Sequence, residues 1–447
     1  LDFGRLRASA RERAFWQAAA PDNVIPTKFV IPLFGYGARG PAAFAAAAAL
    51  YGLASAGLRG REYPAATVLS ARSAREALGE LAPNGMTGGG VWSDGQIEDI
   101  NRLHLAVLQS AVTNGAMVAN YVEATTLIRD GDRVTGAVLR DAFTGQEGQV
   151  KAAVTICSAG AKTSRLIETA IPAAPTRLPS FARAMNLVID RTAPKIAKGV
   201  VSQEQSDAIV DRGGRMYFFT PWRGRTIVGT HESQHTDPDQ SESGAIHDFL
   251  ADLARAAPHL DLRPEDVLWV HRGLIPAEVD DGPGRVRRMT RGTLVDHSDA
   301  DSVGGLISVV GVKFTTARLI AERAVSRACR QLDRGPSAEE LSFRTPLPRA
   351  ETLDVDATTS EALEKRISTA FRDEMAITLA DVLIRRTPLA ESGQLRTGSD
   401  ALIGRALDIA GRVAGWDASR KKSERQTLAR ELAVSLSEET DASSVKR

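Results

Sequence analysis

Residues Leu306 to Val310 are apolar apart from Ser308 and rich in β-branched side chains, as befits a strand covered on both faces. A helix follows almost at once. Ala317, Ile320, Ala321, Ala324, Val325, Ala328 and Leu332 recur at helical spacing, with Arg318, Glu322, Ser326 and Arg330 on the other face, and Gly335-Pro336 closes it. A covered strand that feeds a helix needs a sheet layered with helices, so the chain is read as α/β or α+β. The mouth between the two holds Gly311, Lys313, Thr315 and Thr316. Thr315 or Thr316 can cap the helix, whose first N–H groups carry partial positive charge. With Lys313 beside them, the mouth suits an anion or an electron-rich carbonyl. Taken alone, an ordinary capped helix on a sheet is the simpler explanation.

With 447 residues the chain has room for two or more sizeable cores. A formal net charge of +1, with 25% charged residues, gives no electrostatic case for nucleic acid. Two cysteines, Cys157 and Cys329, both in apolar settings, suit a reducing compartment and make no metal site. His231 and His235 sit four apart, but their surroundings read as loop, so no metal is expected there. No signal peptide is read at the N-terminus, which starts at Leu1. Pro41 to Leu58, "PAAFAAAAALYGLASAGL", approaches spanning length. It is mostly alanine and interrupted by glycine, so a buried or surface-lying helix is expected. Arg39, Arg59 and Arg61 flank it, which leaves contact with a membrane surface as a secondary reading.

Along the chain, Asp2 to Trp16 reads as a basic helix and Thr87 to Trp92 as glycine-rich, then extended. Asp94 to Ala116 reads as an amphipathic helix, with Ile100, Leu103, Val107, Leu108 and Ala111 on one face and Asn114-Gly115 at its end. "VANYVEATTLIRD", "RVTGAVLRD" and "GQVKAAV" predict a three-stranded meander with turns at Asp130-Gly131 and Thr144-Gly145. Val154 to Gly160 is a second buried strand, ending in Ser158-Ala159-Gly160. From Arg183 to about Glu278 the chain is β-rich, with a helix from Gly244 to Ala257. After Pro348 it turns helical and charge-laced, so a boundary is expected near residue 345, between a domain over 1–345 and a helical domain over 346–447. No internal repeat is visible.

The segments "GAMVANYVEATTLIRDGDRVTGAVLRDAFTG", "CSAGA", "PWRGRTIVGTHE", "VVGVKFTTAR" and "EMAITLADVLIRRTPL…AGWDASR" occur in one order. In that order the chain resembles the FAD-dependent glycerol-3-phosphate dehydrogenases, within the D-amino-acid-oxidase-like flavoproteins, from about Leu1 to Ala433. The resemblance implies a partial FAD-binding Rossmann-like domain, an antiparallel β-rich substrate part at about 183–278 and a C-terminal helical domain. It implies that the mouth faces the flavin, whose pyrimidine edge gains negative charge as hydride arrives. Gly311, Val312, Phe314 and Thr315 would offer backbone and hydroxyl contacts, and Lys313 would reach toward an anionic substrate. Ala159 and Gly160 would lie where backbone approaches the cofactor, and Val122 where the main chain meets the adenine. "MTRGTLVDH" matches the family's phosphate-binding stretch and places its arginine at Arg291, whose planar fork matches phosphate oxygens. His271 and His297 are the nearest histidines in sequence, and either could accept the hydroxyl proton. Without the family, Gly160 reads as a tight turn, Val122 as core, Arg291 as a surface charge and both histidines as structural.

Three departures qualify this reading. The family begins with a strand, a G-x-G-x-x-G turn and a helix that hold the FAD pyrophosphate, and nothing here matches. "GYGARG" (Gly35 to Gly40) is read as lacking the strand–helix context. The expectation is an N-terminally truncated chain that holds FAD weakly. Next, the family's arginine in "G-[VL]-R-P" is Ile275 in "GLIP", and a histidine expected beside "MNLVID" is Asn186. Losing a charge-assisted phosphate contact costs roughly a few kcal/mol, so the substrate could differ from glycerol 3-phosphate. Finally, "SAGAKTSR" lacks the family's tryptophan and aspartate, a tolerable change where backbone makes the contacts.

The leading expectation is a flavoenzyme that oxidises a phosphorylated polyol, first of all glycerol 3-phosphate to dihydroxyacetone phosphate. Electrons would pass to a quinone or other acceptor, with a cytoplasmic location and peripheral attachment to the inner membrane. The alternatives are an oxidase or dehydrogenase of an amine, amino acid or hydroxy acid, and a non-catalytic paralogue that binds a small anion or a partner.

Overall fold

The computed structural model describes residues 3–58, 63–172, 178–202, 216–234, 244–279, 286–335, 346–348, 359–396 and 398–436. Helix α1 (Phe3–Ala19) leads into strand β1 (Val24–Phe34) and helix α2 (Pro41–Ala54). β2 (Thr67–Ser70), α3 (Ala71–Leu78), β3 (Met86–Ile97) and α4 (Ile100–Thr113) follow. The meander β4 (Val122–Asp130), β5 (Arg133–Asp141) and β6 (Glu147–Lys151) precedes β7 (Thr155–Cys157) and α5 (Thr163–Glu168). Then come β8 (Ser180–Ile189), β9 (Ala197–Val201), β10 (Met216–Trp222), β11 (Arg225–Gln234), α6 (Ala245–Ala256), β12 (Val267–Val279) and β13 (Val286–Arg288). β14 (Thr293–Asp296), α7 (His297–Ala300), β15 (Leu306–Val310) and α8 (Ala317–Gln331) complete the mixed part. Helices Ser360–Asp373, Asp400–Ala414 and Ala418–Leu436 close the chain.

Among the described residues these strands form three sheets. The largest runs β13-β12-β8-β11-β10-β9-β1-β3-β2, with every neighbour antiparallel except β9 and β1. The second, β14-β15-β7, pairs β15 with β7 in parallel, and the third is the β4-β5-β6 meander. Because side chains alternate along a strand, the large sheet has two distinct faces. One carries Leu187, Ile189, Tyr217, Phe219 and Val228, and α6 lays Ile246, Phe249 and Leu253 on it. The other carries Val188, Trp222, Leu268 and Trp269, covered by Leu363, Ile367, Val382, Leu383 and Ile409 of the C-terminal helices. Each aliphatic side chain fully withdrawn from water contributes roughly 1.5–3 kcal/mol, so these helices complete the core of the sheet. The boundary expected near residue 345 falls at the edge of 336–345, outside the described residues.

Two expectations are corrected near the N-terminus. The helix read from Asp94 begins at Ile100, because Asp94 to Ile97 pair with β1 and Asp99 caps the helix by accepting the Arg102 N–H at 3.0 Å. "GYGARG" does stand between a strand and a helix, β1 and α2. That strand lies in the antiparallel sheet, and the turn closes on itself through Phe34 N–H to Arg39 O (3.0 Å) and Gly40 N–H to Gly37 O (2.9 Å). It is no cradle for a phosphate. β1 itself escaped the sequence reading because Pro26 and Pro32 argue against an interior strand. Both lie outside Phe29–Val30, the run that pairs with β9.

Candidate active site

β7 and β15 run in parallel with Cys157 opposite Ser308, so Ser158–Lys162 and Gly311–Thr316 leave the same end of their sheet. Open α/β sheets bind ligands at that end. Gly160 has φ +58°, a conformation that favours glycine, and a Cβ there or at Gly311 would meet no atom within 4 Å. Thr316 is the N-cap of α8, yet its side chain caps no N–H and instead meets the Lys313 carbonyl at 3.4 Å. The expected side-chain cap is therefore not made; the Thr316 and Ala317 N–H groups donate instead to the Lys313 (3.2 Å) and Phe314 carbonyls of the short turn that leads into α8. Val122 opens β4 and is exposed at 37%, so it is not core. Its neighbour Glu123 lies 4.0 Å from Lys162 Nζ, so Val122, Ala159 and Gly160 share one edge.

Arg291 joins this mouth from the other side. Thr293 pairs with Val310, and a Cβ on Gly292 would lie 3.1 Å from the Val310 carbonyl and 3.6 Å from Gly311 Cα. Arg291 and Lys313 are both exposed. The Met289 N–H donates to the Pro276 carbonyl at 3.1 Å, so Ile275 lies beside the same segment. α1 braces the mouth from outside: Trp16 Nε1 donates to the Thr315 carbonyl at 3.1 Å, and its ring stands 5.0 Å from that of Phe314. Buried Glu12 holds Arg318 of α8 through contacts of 2.5 and 3.0 Å. Nothing in the sequence pointed from α1 to the mouth, because the partners are some 300 positions apart.

The two histidines separate. His297 is fully buried at the far end of β15, with Nδ1 2.7 Å from the Asp301 carboxylate and Nε2 2.6 Å from Ser308 Oγ. Both nitrogens are occupied away from the mouth, so the ring acts as a strut under β15. His271 lies on β12, opposite Asn186 of β8, which is in turn opposite Gly229 of β11. Its side chain is 33% exposed, and its Nε2 meets Glu391 Oε1 at 3.1 Å. β12 also passes beside the Gly160–Lys162 turn.

On the face of the sheet that His271 shares, Gly273, Ala184 and Gly229 make a floor of small residues, and the Asn186 amide lies over Gly229. Beyond it stand Phe29, Trp92 and Phe218, partly buried, with the Phe29 and Trp92 rings stacked at 5.3 Å and the Phe218 ring edge-on at 5.5 Å to Phe29. This trough draws on separate strands, so no local pattern in the sequence marks it. His231, read as loop, is in β11, stacked on Phe249 at 5.0 Å with Nδ1 3.2 Å from the Tyr217 hydroxyl. His235 lies outside the described residues. Among the described residues no group of three or more His, Cys, Asp or Glu could hold a metal.

The sequence pattern of the FAD dependent oxidoreductases matches residues 3–327. The chain belongs to that family. This FAD dependent oxidoreductase is 28% identical to the glycerol-3-phosphate dehydrogenase of Synechocystis sp. over 376 residues, 80% of this chain and 65% of that protein. It is 26% identical to the mitochondrial glycerol-3-phosphate dehydrogenase of Mus musculus over 423 residues, 82% of this chain and 56% of that one. It therefore spans less than two thirds of the length of either. Its fold matches the crystal structure of glycerol-3-phosphate dehydrogenase from Bacillus halodurans complexed with FAD, with a TM-score of 0.70, 19% identity, and coverage of 96% of this chain and 86% of that one.

The mouth leaves room for the flavin of this family: a Cβ at Gly160 or Gly311 would meet no atom within 4 Å, and no side chain caps the turn that opens at Lys313. Neither turn at this end, "SAGAK" or "GVKFTT", has the G-x-G-x-x-G spacing for a pyrophosphate.

Proposed function

We propose that this FAD dependent oxidoreductase oxidises the secondary alcohol of a phosphorylated polyol, glycerol 3-phosphate first among the candidates. The observation that supports this most is that the paired strands β14 and β15 bring Arg291 and Lys313, both exposed, to the end of the sheet where Gly311 and Gly160 leave open space. When bound, the flavin takes up the hydride. The rest falls to the chain's own side chains. Arg291 holds phosphate oxygens through its fork, and Lys313 adds a second positive charge. The backbone from Gly311 to Thr315, ahead of α8, stabilises negative charge at the mouth. His271 accepts the hydroxyl proton.

A substrate with a lone carboxylate is the second reading, favoured by apolar Ile275 beside the Arg291 segment and by uncharged Asn186 on the floor. A quinone is the proposed acceptor, reached through peripheral contact of α2 with a membrane. α2 carries no charge and buries none of its residues, Leu53 is 73% exposed, and Tyr36 before it is 93% exposed. Among the described residues no helix is long and apolar enough to cross a membrane.

The test is to load the chain with FAD, desalt it, and add glycerol 3-phosphate without oxygen. Bleaching of the retained flavin is expected. Bleaching by a 2-hydroxy acid alone would replace the phosphate reading with the second one, and a retained flavin that neither bleaches would defeat both.

A further inference from the structure

The carboxylate that meets His271 comes from the far end of the chain. Glu391 lies in the turn that follows the helical segment Asp381–Arg385, and this turn is seated along β12. A Cβ on Gly393 would stand 2.7 Å from the Leu268 side chain, and Arg396 donates to the Glu265 carbonyl at 3.1 Å. Glu391 is 18% exposed against 33% for His271. The pair thus marks the line where the C-terminal core ends and the trough begins. His271 Nδ1 has no hydrogen-bond partner among the described residues. An ionised carboxylate can only accept, so its contact with Nε2 keeps the imidazole proton there and leaves Nδ1 as the acceptor. A supporting frame surrounds the pair. Arg223 holds Glu98 at 3.2 Å and Asp99 at 3.6 Å. Burial first, and then the nearby Glu391 charge, push Asp99 above the usual carboxylate range.

We propose that Glu391 is a positioning residue for His271: it fixes the Nε2–H tautomer, aims Nδ1 at the trough, and stabilises the imidazolium that forms on proton transfer. This rests on the reading of His271 as the base. In the step concerned, Nδ1 would take the proton of the substrate O–H as the C=O bond forms, and the carbinol hydride is what a bound flavin would accept. The Nε2–H stays on the ring and faces Glu391 throughout.

Two measurements on the full chain test it. Nitrogen NMR of chain labelled with 15N-histidine, assigned with His271→Asn, should show the Nε2–H tautomer near neutral pH and a tautomeric mixture in Glu391→Leu. The Nδ1–H tautomer in the unaltered chain would overturn the proposal. In the flavin-loaded chain, Glu391→Gln should lower kcat about 10–100-fold, as loss of a carboxylate behind a functional histidine does, with KM almost unchanged, and Glu391→Asp should recover part of the loss. An unchanged kcat, or an effect on KM alone, would sink it. If His271→Asn leaves kcat intact, the base reading fails. If His271→Asn lowers kcat while Glu391→Gln does not, only the role of Glu391 fails.

Discussion

Arg291 and Lys313 lie on segments that an antiparallel register holds side by side. A charge-assisted hydrogen bond to phosphate is worth about 1.5–3 kcal/mol. Arg291→Leu or Lys313→Met is therefore expected to raise KM for a phosphorylated substrate by roughly 10- to 150-fold, while retained flavin absorbance stays the same. Steady-state kinetics beside a desalting assay check both halves. Tyr121 offers a test of a different kind. Burial first, and then its hydrogen bond to Asp381 Oδ1 (2.8 Å), push its phenol up to about 12. Between the ordinary tyrosine range near 10 and that value, the unfolded chain has lost this proton while the folded one keeps it. Stability should thus fall across that window as pH rises, and Tyr121→Phe should flatten the fall in alkaline denaturation curves. At this scale the sequence was legible where a pattern is local, as in the strand-to-helix turns that begin at Gly160 and Lys313. It was silent on Glu391, because its partner lies 120 positions away.

Among the elements, β3 shows how packing chooses residues. A Cβ on Gly89 would come within 2.6 Å of Ala74 Cβ in α3, and one on Gly90 within 2.6 Å of the Phe44 ring in α2. The strand is glycine-rich because two helices press on its opposite faces. Gly89→Ala should cost about 1–3 kcal/mol, the usual range for overpacking, seen as a lower urea midpoint with an unchanged m-value. The run "TGGGVW" was readable as extended, but its reason was not, since α2 and α3 had to be placed first. The meander and β15 were readable from turn chemistry and apolar runs. α4 was read six residues too early, because "DGQI" suits either the end of a strand or the start of a helix until β1 pairs with it.

Across the whole molecule, Glu374 is the junction of the mixed part and the C-terminal helices. It contacts Arg102 of α4 at 2.5 Å and Arg366, and its carbonyl accepts from Arg386 at 2.9 Å. Arg102, Arg366 and Glu374 are almost wholly buried, and burial lowers the proton affinity of Arg102 and Arg386. Removing one partner of a buried pair leaves an uncompensated charge, so Glu374→Ala should cost about 3–5 kcal/mol and lower Tm in calorimetry. The family was legible from ordered motifs, whereas this junction joins residues 272 positions apart and carries no local signal. The core shared by Val188, Trp222, Leu268 and Trp269 with the helices after Ser360 also bears on how the gene can be cut. Expressed as two polypeptides split between Gly335 and Pro346, the halves should reassemble without a peptide link, each burying the surface that would make the other aggregate. By the same reasoning, the helical segment cannot be cut from this chain without laying bare the face of the sheet it covers: the two parts stand or fall as one core.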